Sequence, residues 1–218
     1  MQNNSFSFNI DTFTSWSYLA DKEYLRELKL SKMSSRRMTK LAKKVVNEAL
    51  HQIEGVDIDF IVYSSRHGEL LLSSELIESI QSLETPSPIK FSQSTHNAAS
   101  GHLCIQAKRK IPISSISACE ESFSMGIVSA VNFLKQNQDS KVLFIYGDAP
   151  FPELFKEKIS CTDDEIIQTM ILSNGEEYQL NLKTNKEIFS ESECSRFTSW
   201  WKTKEHPLDF KIGSLCLS

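Results

Sequence analysis

The sequence predicts an α/β fold in which a mainly parallel sheet is flanked by helices. Amphipathic helical segments alternate along the chain with short apolar runs, an order that is typical of α/β proteins. The runs Phe60–Tyr63 and Val142–Tyr146 are apolar throughout, as in strands that are buried on both faces. The chain has 218 residues, of which 40% are hydrophobic and 24% are charged, so we expect one globular domain over residues 1–218.

The first elements are predicted from hydrophobic periodicity. Apolar and polar residues alternate over Phe6–Ile10, which indicates a strand with one buried face. The clearest amphipathic helix covers Arg36–Ile53, and we expect Ser34 or Ser35 to cap its N-terminus. After the strand that contains Phe60–Tyr63, a second helix is predicted over Leu70–Leu83, with its leucines and isoleucines on one side.

The middle of the chain repeats the alternation of helix and strand. Two prolines in residues 84–88 predict a loop, because proline removes a backbone donor and restricts the residue before it. Small residues over Asn97–Ala107 favour a tightly packed helix. Ile111–Ser117 alternates as a strand does, and Phe123–Leu134 has the spacing of a third amphipathic helix.

The C-terminal part is predicted to contain a hairpin and a helix. Ile166–Leu172 and Tyr178–Leu182 resemble two antiparallel strands around a turn at residues 173–175, because Asn-Gly supplies the positive φ angles of a tight hairpin. Glu191–Lys204 has the pattern of a terminal helix.

Charge and cysteine usage exclude several classes of protein. The net charge of −4 does not favour a nucleic-acid partner, although nine basic residues between Lys22 and Lys44 predict a local positive face. We expect neither zinc nor disulfides, because the five cysteines have no Cys-x-x-Cys spacing: Cys104, Cys119, Cys161, Cys194 and Cys216. We also expect no other cofactor. Without a leader or a run of about 18 apolar residues, the chain is expected to be cytoplasmic, with no membrane span.

Cys119 is the first candidate for chemistry. It lies where a predicted strand gives way to a helix, and the helix dipole lowers the pKa of a thiol at such a position. Glu120 and Glu121 act in the opposite direction, because nearby negative charge raises the pKa of a thiol. With His96 and Asn97, Cys119 could form a Cys-His-Asn site. The alternatives are a small packed cysteine and a histidine that bonds a neighbouring loop.

Residues Arg66–Glu69 are a second candidate. They follow a predicted buried strand, and the carboxyl ends of strands are the usual place for sites in α/β proteins. The alternative is a turn in which Arg66 and Glu69 pair locally.

Several motifs together resemble the N-terminal half of β-ketoacyl synthases. More closely, they are similar to the short synthase-like chain-length factors of aryl-polyene biosynthesis. The segments that carry the resemblance are Ser35–Met38, Ser65–Glu69, Ser87–Ser92, Phe91–Ile105, Ile116–Glu121 and Val142–Gly147.

The resemblance implies a thiolase-like half-fold. A full synthase contains two similar halves, and this chain supplies one of them with a short tail. Cys119 falls at the place of the synthase nucleophile. The second half of a synthase contributes two histidines, but no His-Gly-Thr-Gly or Asn-x-Phe-Gly-Phe-Gly-Gly motif follows here. Condensation by this chain alone would therefore lack the groups that stabilise the carbanion, and we expect Cys119 to be inactive.

The resemblance also implies partners. We expect a heterodimer with a complete β-ketoacyl synthase, because a half-fold leaves one apolar layer exposed as a partner surface, with the strand Ile111–Ser117 at the interface. In this heterodimer the chain closes the floor of the acyl tunnel and limits product length. The residues expected at the interface or tunnel are Ile113, Ser115, Ser117, Cys119, Glu120, Phe123, Met125, His96 and Asn97. A transient acyl carrier protein could dock on the basic residues Arg36, Arg37, Lys40 and Lys44. The alternatives are an independent acyltransferase or thioesterase that uses Cys119 and His96, and a homodimeric scaffold.

Overall fold

The structure, a computed structural model, describes residues 5–18, 24, 26–152 and 165–218. Two residues named above, Lys22 and Cys161, lie outside these ranges. The helices are α1 Lys32–Ser35, α2 Lys40–Gln52, α3 Leu70–Gln81, α4 Pro88–Gln93, α5 Ala98–Ala107, α6 Ser122–Gln136 and α7 Glu193–Thr203. The strands are β1 Ser5–Ser17, β2 Phe60–Ser64, β3 Ile113–Ile116, β4 Lys141–Asp148, β5 Ile166–Leu182, β6 Leu208–Phe210 and β7 Gly213–Leu217.

These strands form one mixed sheet in the order β3-β2-β4-β5-β7-β6, with β1 on the other side of β5. Strands β1 to β4 run in one direction, as the prediction of a mainly parallel sheet requires, and β5 runs against them. Because β5 lies between β4 and β1, only the pairings of β2 with β3 and with β4 are parallel. The other four pairings among the described strands are antiparallel.

The hairpin predicted around residues 173–175 is wrong. Strand β5 continues through this segment, because its first half pairs with β4 and its second half pairs with β7. The Asn-Gly pair lies in a bulge, where the register of β1 shifts from Tyr178 opposite Phe8 to Ser173 opposite Asn9. The Asn9 side chain accepts a hydrogen bond from the Glu177 N–H at 3.1 Å. The C-terminal hairpin is instead the pair of β6 and β7.

Helices cover both faces of the sheet. On one face, buried residues of α2 and α5, such as Val45 and Leu103, pack in one cluster with Ile61 and Leu143 of the strands. The N-terminus of α2 is capped by Thr39, whose hydroxyl accepts from the Ala42 N–H at 3.0 Å. The predicted cap at Ser34 or Ser35 is wrong, because both serines belong to the short helix α1.

The other face of the sheet is covered by α6, whose first turn packs against α7 and β6. Phe123 of α6 lies 5.2 Å from Phe197 of α7 and 6.2 Å from Phe210 of β6, between ring centroids. Phe123, one of the residues expected at the interface or tunnel, is therefore buried in the core.

Exposed apolar side chains are instead concentrated in the chain segment that joins β2 to β3. We call these side chains the apolar surface between β2 and β3: Leu71, Ile77, Ile80, Leu83, Ile89, Phe91 and Ile105. Only part of the face predicted for α3 is buried: Leu72 and Leu76 pack inward, whereas Ile80 and Leu83 do not. The predicted loop at 84–88 ends one residue early, because Pro88 begins α4.

The described part of the chain contains no helix with the length and apolar character needed to cross a membrane.

The close approach of α6 to the sheet depends on Gly126. A Cβ at this position would lie 2.6 Å from a ring carbon of Phe144 and 2.9 Å from the Cβ of Ser64. We predict that Gly126→Ala lowers the free energy of unfolding by about 1–3 kcal/mol, because the core is overpacked. Gly101→Ala in α5 is the matched control, because no atom lies within 4 Å of its added Cβ.

Denaturant unfolding of both variants checks this prediction. We expect Gly101→Ala to be neutral or to stabilise the protein by up to about 1 kcal/mol, through helix propensity. If both substitutions have the same effect, close packing at Gly126 does not constrain α6.

Candidate functional site

Cys119 lies in a tight turn between β3 and α6, as predicted. Residues Cys119–Glu121 form a single 3₁₀ turn, and α6 begins at Ser122. Cys119 has a φ of 52°, a left-handed conformation that is uncommon for a residue other than glycine. The Ser122 hydroxyl holds the turn, because it accepts from the Ala118 N–H at 2.9 Å and donates to the Cys119 carbonyl at 2.7 Å.

The surroundings of Cys119 offer its thiol no base. The residue is exposed, and its sulfur makes no hydrogen bond within the part of the chain that the structure describes. The two adjacent carboxylates are paired: Lys211 bridges Glu120 and Glu121, and Arg66 lies 3.9 Å from Glu120. The hydrogen bond and charge of Lys211 lower the pKa of Glu120. Glu120 therefore stays ionised beside the thiol, with its charge balanced by Lys211.

The N-terminus of α6 is capped from a distant part of the chain. The buried carboxylate of Glu193, the first residue of α7, accepts from the Ser124 N–H at 3.0 Å. Burial raises the pKa of Glu193. A helix N-terminus is a place where backbone N–H groups favour an anion. Here a carboxylate of the protein itself occupies one of those groups.

The Cys-His-Asn hypothesis needs His96 beside the thiol of Cys119, but His96 contacts the Ser65 carbonyl instead. Its Nε2 lies 3.1 Å from the Ser65 carbonyl oxygen, and its ring packs 5.5 Å from that of Tyr63. Asn97 is exposed at the start of α5. Among the described residues, neither of them forms a hydrogen bond with Cys119. The structure thus gives His96 the alternative role, that of bonding a neighbouring loop.

The loop after β2 is held by the buried carboxylate of Asp148 at the end of β4. Asp148 accepts from the Ser65 hydroxyl at 2.6 Å, the Tyr146 hydroxyl at 2.5 Å, and the backbone N–H groups of Arg66 and His67 at 3.0 Å each. Sequence reasoning missed Asp148. Its only signal was one acidic residue at the end of an apolar strand.

The local pairing of Arg66 with Glu69 does not form. Arg66 reaches towards Glu120, and the Glu69 carboxylate is buried, where it accepts from the Thr39 hydroxyl at 2.6 Å. Burial raises the pKa of Glu69. The loop after β2 therefore connects three elements: the end of β4, the N-cap of α2 and the turn that contains Cys119.

Strand β3 is an open edge of the sheet. The carbonyls of Pro112 and Ile116 accept from β2 at 3.0 and 3.1 Å. Since backbone groups alternate in direction along a strand, Ile113, Ser115 and Ser117 direct their N–H and C=O groups away from β2. No other described strand pairs with β3. These three residues are the ones expected at an interface.

The other predicted site residues differ in their exposure to solvent. Phe123 is buried in the core, whereas Met125 on the same helix is 37% exposed. Among the basic residues, Arg36, Arg37 and Lys40 are exposed. Lys44 is engaged elsewhere.

Lys44 does not belong to a free basic patch. Its Nζ lies 2.7 Å from a Glu165 carboxylate oxygen and 4.2 Å from the centroid of the Trp16 ring. The predicted docking set is therefore corrected to the three exposed cations. The described ranges contain no group of three or more His, Cys, Asp or Glu residues placed to hold a metal ion.

We predict that Asp148→Ala lowers the free energy of unfolding by about 3–5 kcal/mol, because two hydroxyls and two backbone N–H groups lose a buried charged acceptor. Asp139→Ala, at an exposed turn, is the control and should change it by no more than about 0.5 kcal/mol. Urea unfolding measures both values. Equal effects would mean that Asp148 does not organise this loop.

Three solved structures are similar to this chain. In the complex of the ketosynthase ApeO with its chain length factor ApeC from Xenorhabdus doucetiae, the match covers 96% of this chain and 98% of that chain, with 22% identity and a TM-score of 0.82. The ishigamide ketosynthase/chain length factor matches over 72% of this chain and 51% of its own, with 14% identity and a TM-score of 0.58.

The third structure is a β-ketoacyl synthase from Burkholderia phymatum STM815. The match covers 82% of this chain and 56% of that one, with 12% identity and a TM-score of 0.54. This chain thus spans about half the length of the second and third relatives and nearly all of the first. These likenesses confirm the thiolase-like half-fold. A comparison with curated proteins finds no match.

A family model agrees with the fold. The model of the β-ketoacyl synthase N-terminal domain matches residues 15–210, which is most of the chain. The chain belongs to the β-ketoacyl synthase N-terminal domain family.

Proposed function

We propose that the chain is a non-catalytic chain-length factor. It pairs in the cytoplasm with a complete ketosynthase and shapes the acyl tunnel of that enzyme during aryl-polyene elongation. The family and the similarity to a chain in a ketosynthase complex with its chain length factor support this role. The observations that carry the proposal are the exposed apolar side chains in the chain segment that joins β2 to β3 and the open edge of β3.

The absence of a catalytic role is supported by the surroundings of Cys119. Its sulfur has no hydrogen-bonded base within the described residues, and His96 bonds the Ser65 carbonyl. The α6 N–H group of Ser124 is occupied by Glu193. The first two observations leave the thiol without a base that could activate it, and the third leaves one N–H group fewer to stabilise a reacting anion. An independent thiol enzyme has no comparable support.

The proposed partner surface is inferred from the exposed apolar side chains and from the unpaired edge of β3. Seven of the thirteen large apolar side chains that are exposed in the described part of the chain lie between β2 and β3. An edge strand with unpaired N–H and C=O groups can be extended by another chain. Apolar patches beside such an edge are typical of stable protein interfaces.

The tunnel and carrier contacts are finer parts of the same proposal. In this proposal Met125, which is exposed on α6, contacts the partner's tunnel, whereas Phe123 is buried in the core. Exposed Arg36, Arg37 and Lys40 attract an acidic acyl carrier protein. The Gln93 side chain donates to the Arg37 carbonyl at 2.6 Å, which joins this basic segment to α4.

We predict that a charge in the apolar surface prevents pairing. Phe91→Asp and Ile105→Asp should each weaken binding to the partner ketosynthase by about tenfold or more, because an unpaired carboxylate would be buried. Ile188→Asp is the matched control, since Ile188 is 91% exposed and lies outside the surface. Co-purification followed by titration calorimetry measures the effect.

Two outcomes would contradict the proposal that the ketosynthase binds this surface. One is equal weakening by Ile188→Asp, and the other is normal binding by both Phe91→Asp and Ile105→Asp. Elution of the wild-type chain as a homodimer that never contains the ketosynthase would favour the scaffold hypothesis instead.

We predict that Cys119→Ala leaves polyene formation by the reconstituted pathway within about twofold of the wild-type rate. The exposed thiol has no base, so its loss removes no reacting group. Replacing the nucleophilic cysteine of the partner ketosynthase by alanine is the control and should abolish product. If Cys119→Ala abolishes product while the two proteins still co-purify, the chain is a thiol enzyme.

A further inference from the structure

The chain segment that leads into α2 has a strong excess of positive charge. Residues 26–43 contain seven lysines and arginines and one glutamate. Arg26 pairs with Glu48, and Lys29 pairs with Glu54. The other five cations have no acidic partner within the described residues, and we call them the basic surface: Lys32, Arg36, Arg37, Lys40 and Lys43.

The polypeptide that carries the basic surface is held against α2. Asn47 of α2 accepts from the Lys29 N–H at 2.8 Å and donates to the Glu27 carbonyl at 3.0 Å. Leu30 is buried in the same apolar cluster as the inner face of α2. Ser31 then caps the N-terminus of α1 with its side chain. These contacts fix the orientation of α1, and with it the side chains that α1 exposes.

One side of α1 combines an exposed apolar side chain with two cations. The Arg36 N–H donates to the Lys32 carbonyl and the Arg37 N–H to the Ser34 carbonyl, so the helical turn continues to residue 37. Met33 precedes the two arginines by three and four residues, a spacing that places side chains on the same side of a helical turn. Both arginines are exposed, and Met33 is 72% exposed.

The basic surface continues into the first turn of α2. Lys40 is exposed, and Lys43 follows it by three residues on the same side of the helix. Several unpaired cations on one side of a protein attract a surface of negative charge. An exposed apolar side chain among them is buried on contact only where an apolar layer lies behind that charge.

An anionic lipid bilayer offers both features next to each other. Its headgroups carry the negative charge that attracts clustered lysines and arginines, and its hydrocarbon begins directly beneath them. An acidic protein surface also satisfies the cations, but it buries Met33 only where its own side chains provide an apolar contact. The observations therefore favour a membrane surface over a protein.

We propose that this chain associates with anionic membranes as a peripheral protein through the basic surface, with Met33 entering the boundary between headgroups and hydrocarbon. This contact goes beyond the proposed function, in which Arg36, Arg37 and Lys40 attract a carrier protein. None of its residues belongs to the surface proposed for the ketosynthase.

Sedimentation of the purified full-length chain with lipid vesicles tests the proposal. Vesicles made from equal parts of phosphatidylglycerol and phosphatidylcholine are compared with vesicles of phosphatidylcholine alone. A triple variant removes three charges of the basic surface, and a matched triple variant removes three exposed charges elsewhere. The first combines Arg36→Gln, Arg37→Gln and Lys40→Gln, and the second combines Lys183→Gln, Lys186→Gln and Lys202→Gln.

The apolar part of the contact is tested separately. Met33→Ser removes the exposed apolar side chain of α1 and leaves every charge in place. Ile188→Ser is its matched control, because Ile188 is 91% exposed and lies outside the basic surface. All of these positions are exposed, and thermal unfolding shows that each variant is folded.

We expect binding to the anionic vesicles that is at least about tenfold tighter than binding to the neutral ones and that is lost at high salt. The triple variant of the basic surface should weaken it at least about tenfold and Met33→Ser at least about threefold, because charge and apolar burial both contribute. Lys183→Gln with Lys186→Gln and Lys202→Gln, and Ile188→Ser, should each leave it within about twofold of the wild-type value.

Four outcomes would overturn the proposal. They are no binding to the anionic vesicles, equal binding to the neutral ones, equal weakening by the two triple variants, and normal binding by Met33→Ser. A chain that ignores both kinds of vesicle but binds an acyl carrier protein through Arg36, Arg37 and Lys40 would assign the basic surface to the carrier instead. Because the vesicle assay contains neither ketosynthase nor carrier protein, its result does not depend on the proposed function.

Discussion

The packing of α7 on the first turn of α6 is the contact on which the rest of this structure depends. Phe197 meets Phe123 in the core, and Glu193 binds the Ser124 N–H beside them. This contact buries the first turn of α6, and aromatic burial of this kind contributes on the order of several kcal/mol. It also places a carboxylate at the helix N-terminus, close to the turn that carries Cys119.

That packing involves the first turn of α6 only. The surface proposed for the ketosynthase lies in other elements, namely the open edge of β3 with the exposed side chains of α3, α4 and α5.

Local sequence patterns predicted the helices, strands and turns whose formation depends on residues close together in the sequence. The periodicity of α2 and α6, the apolar runs of β2 and β4, and the turn at Cys119 all correspond to the structure. The Asn-Gly signal in β5 failed because β1, β4 and β7 pair along the whole strand and override a turn preference. Asp148 was missed because its partner Ser65 lies 83 residues away in sequence.

Hydrogen exchange at β3 tests most directly whether this chain is a partner subunit that binds through its open edge. In a complex with the ketosynthase, the amides of Ile113, Ser115 and Ser117 should exchange at least tenfold more slowly than in the free chain, because they gain backbone acceptors. The amides of α7 should be unchanged. Unchanged exchange at β3, or new protection confined to α7, would contradict the account.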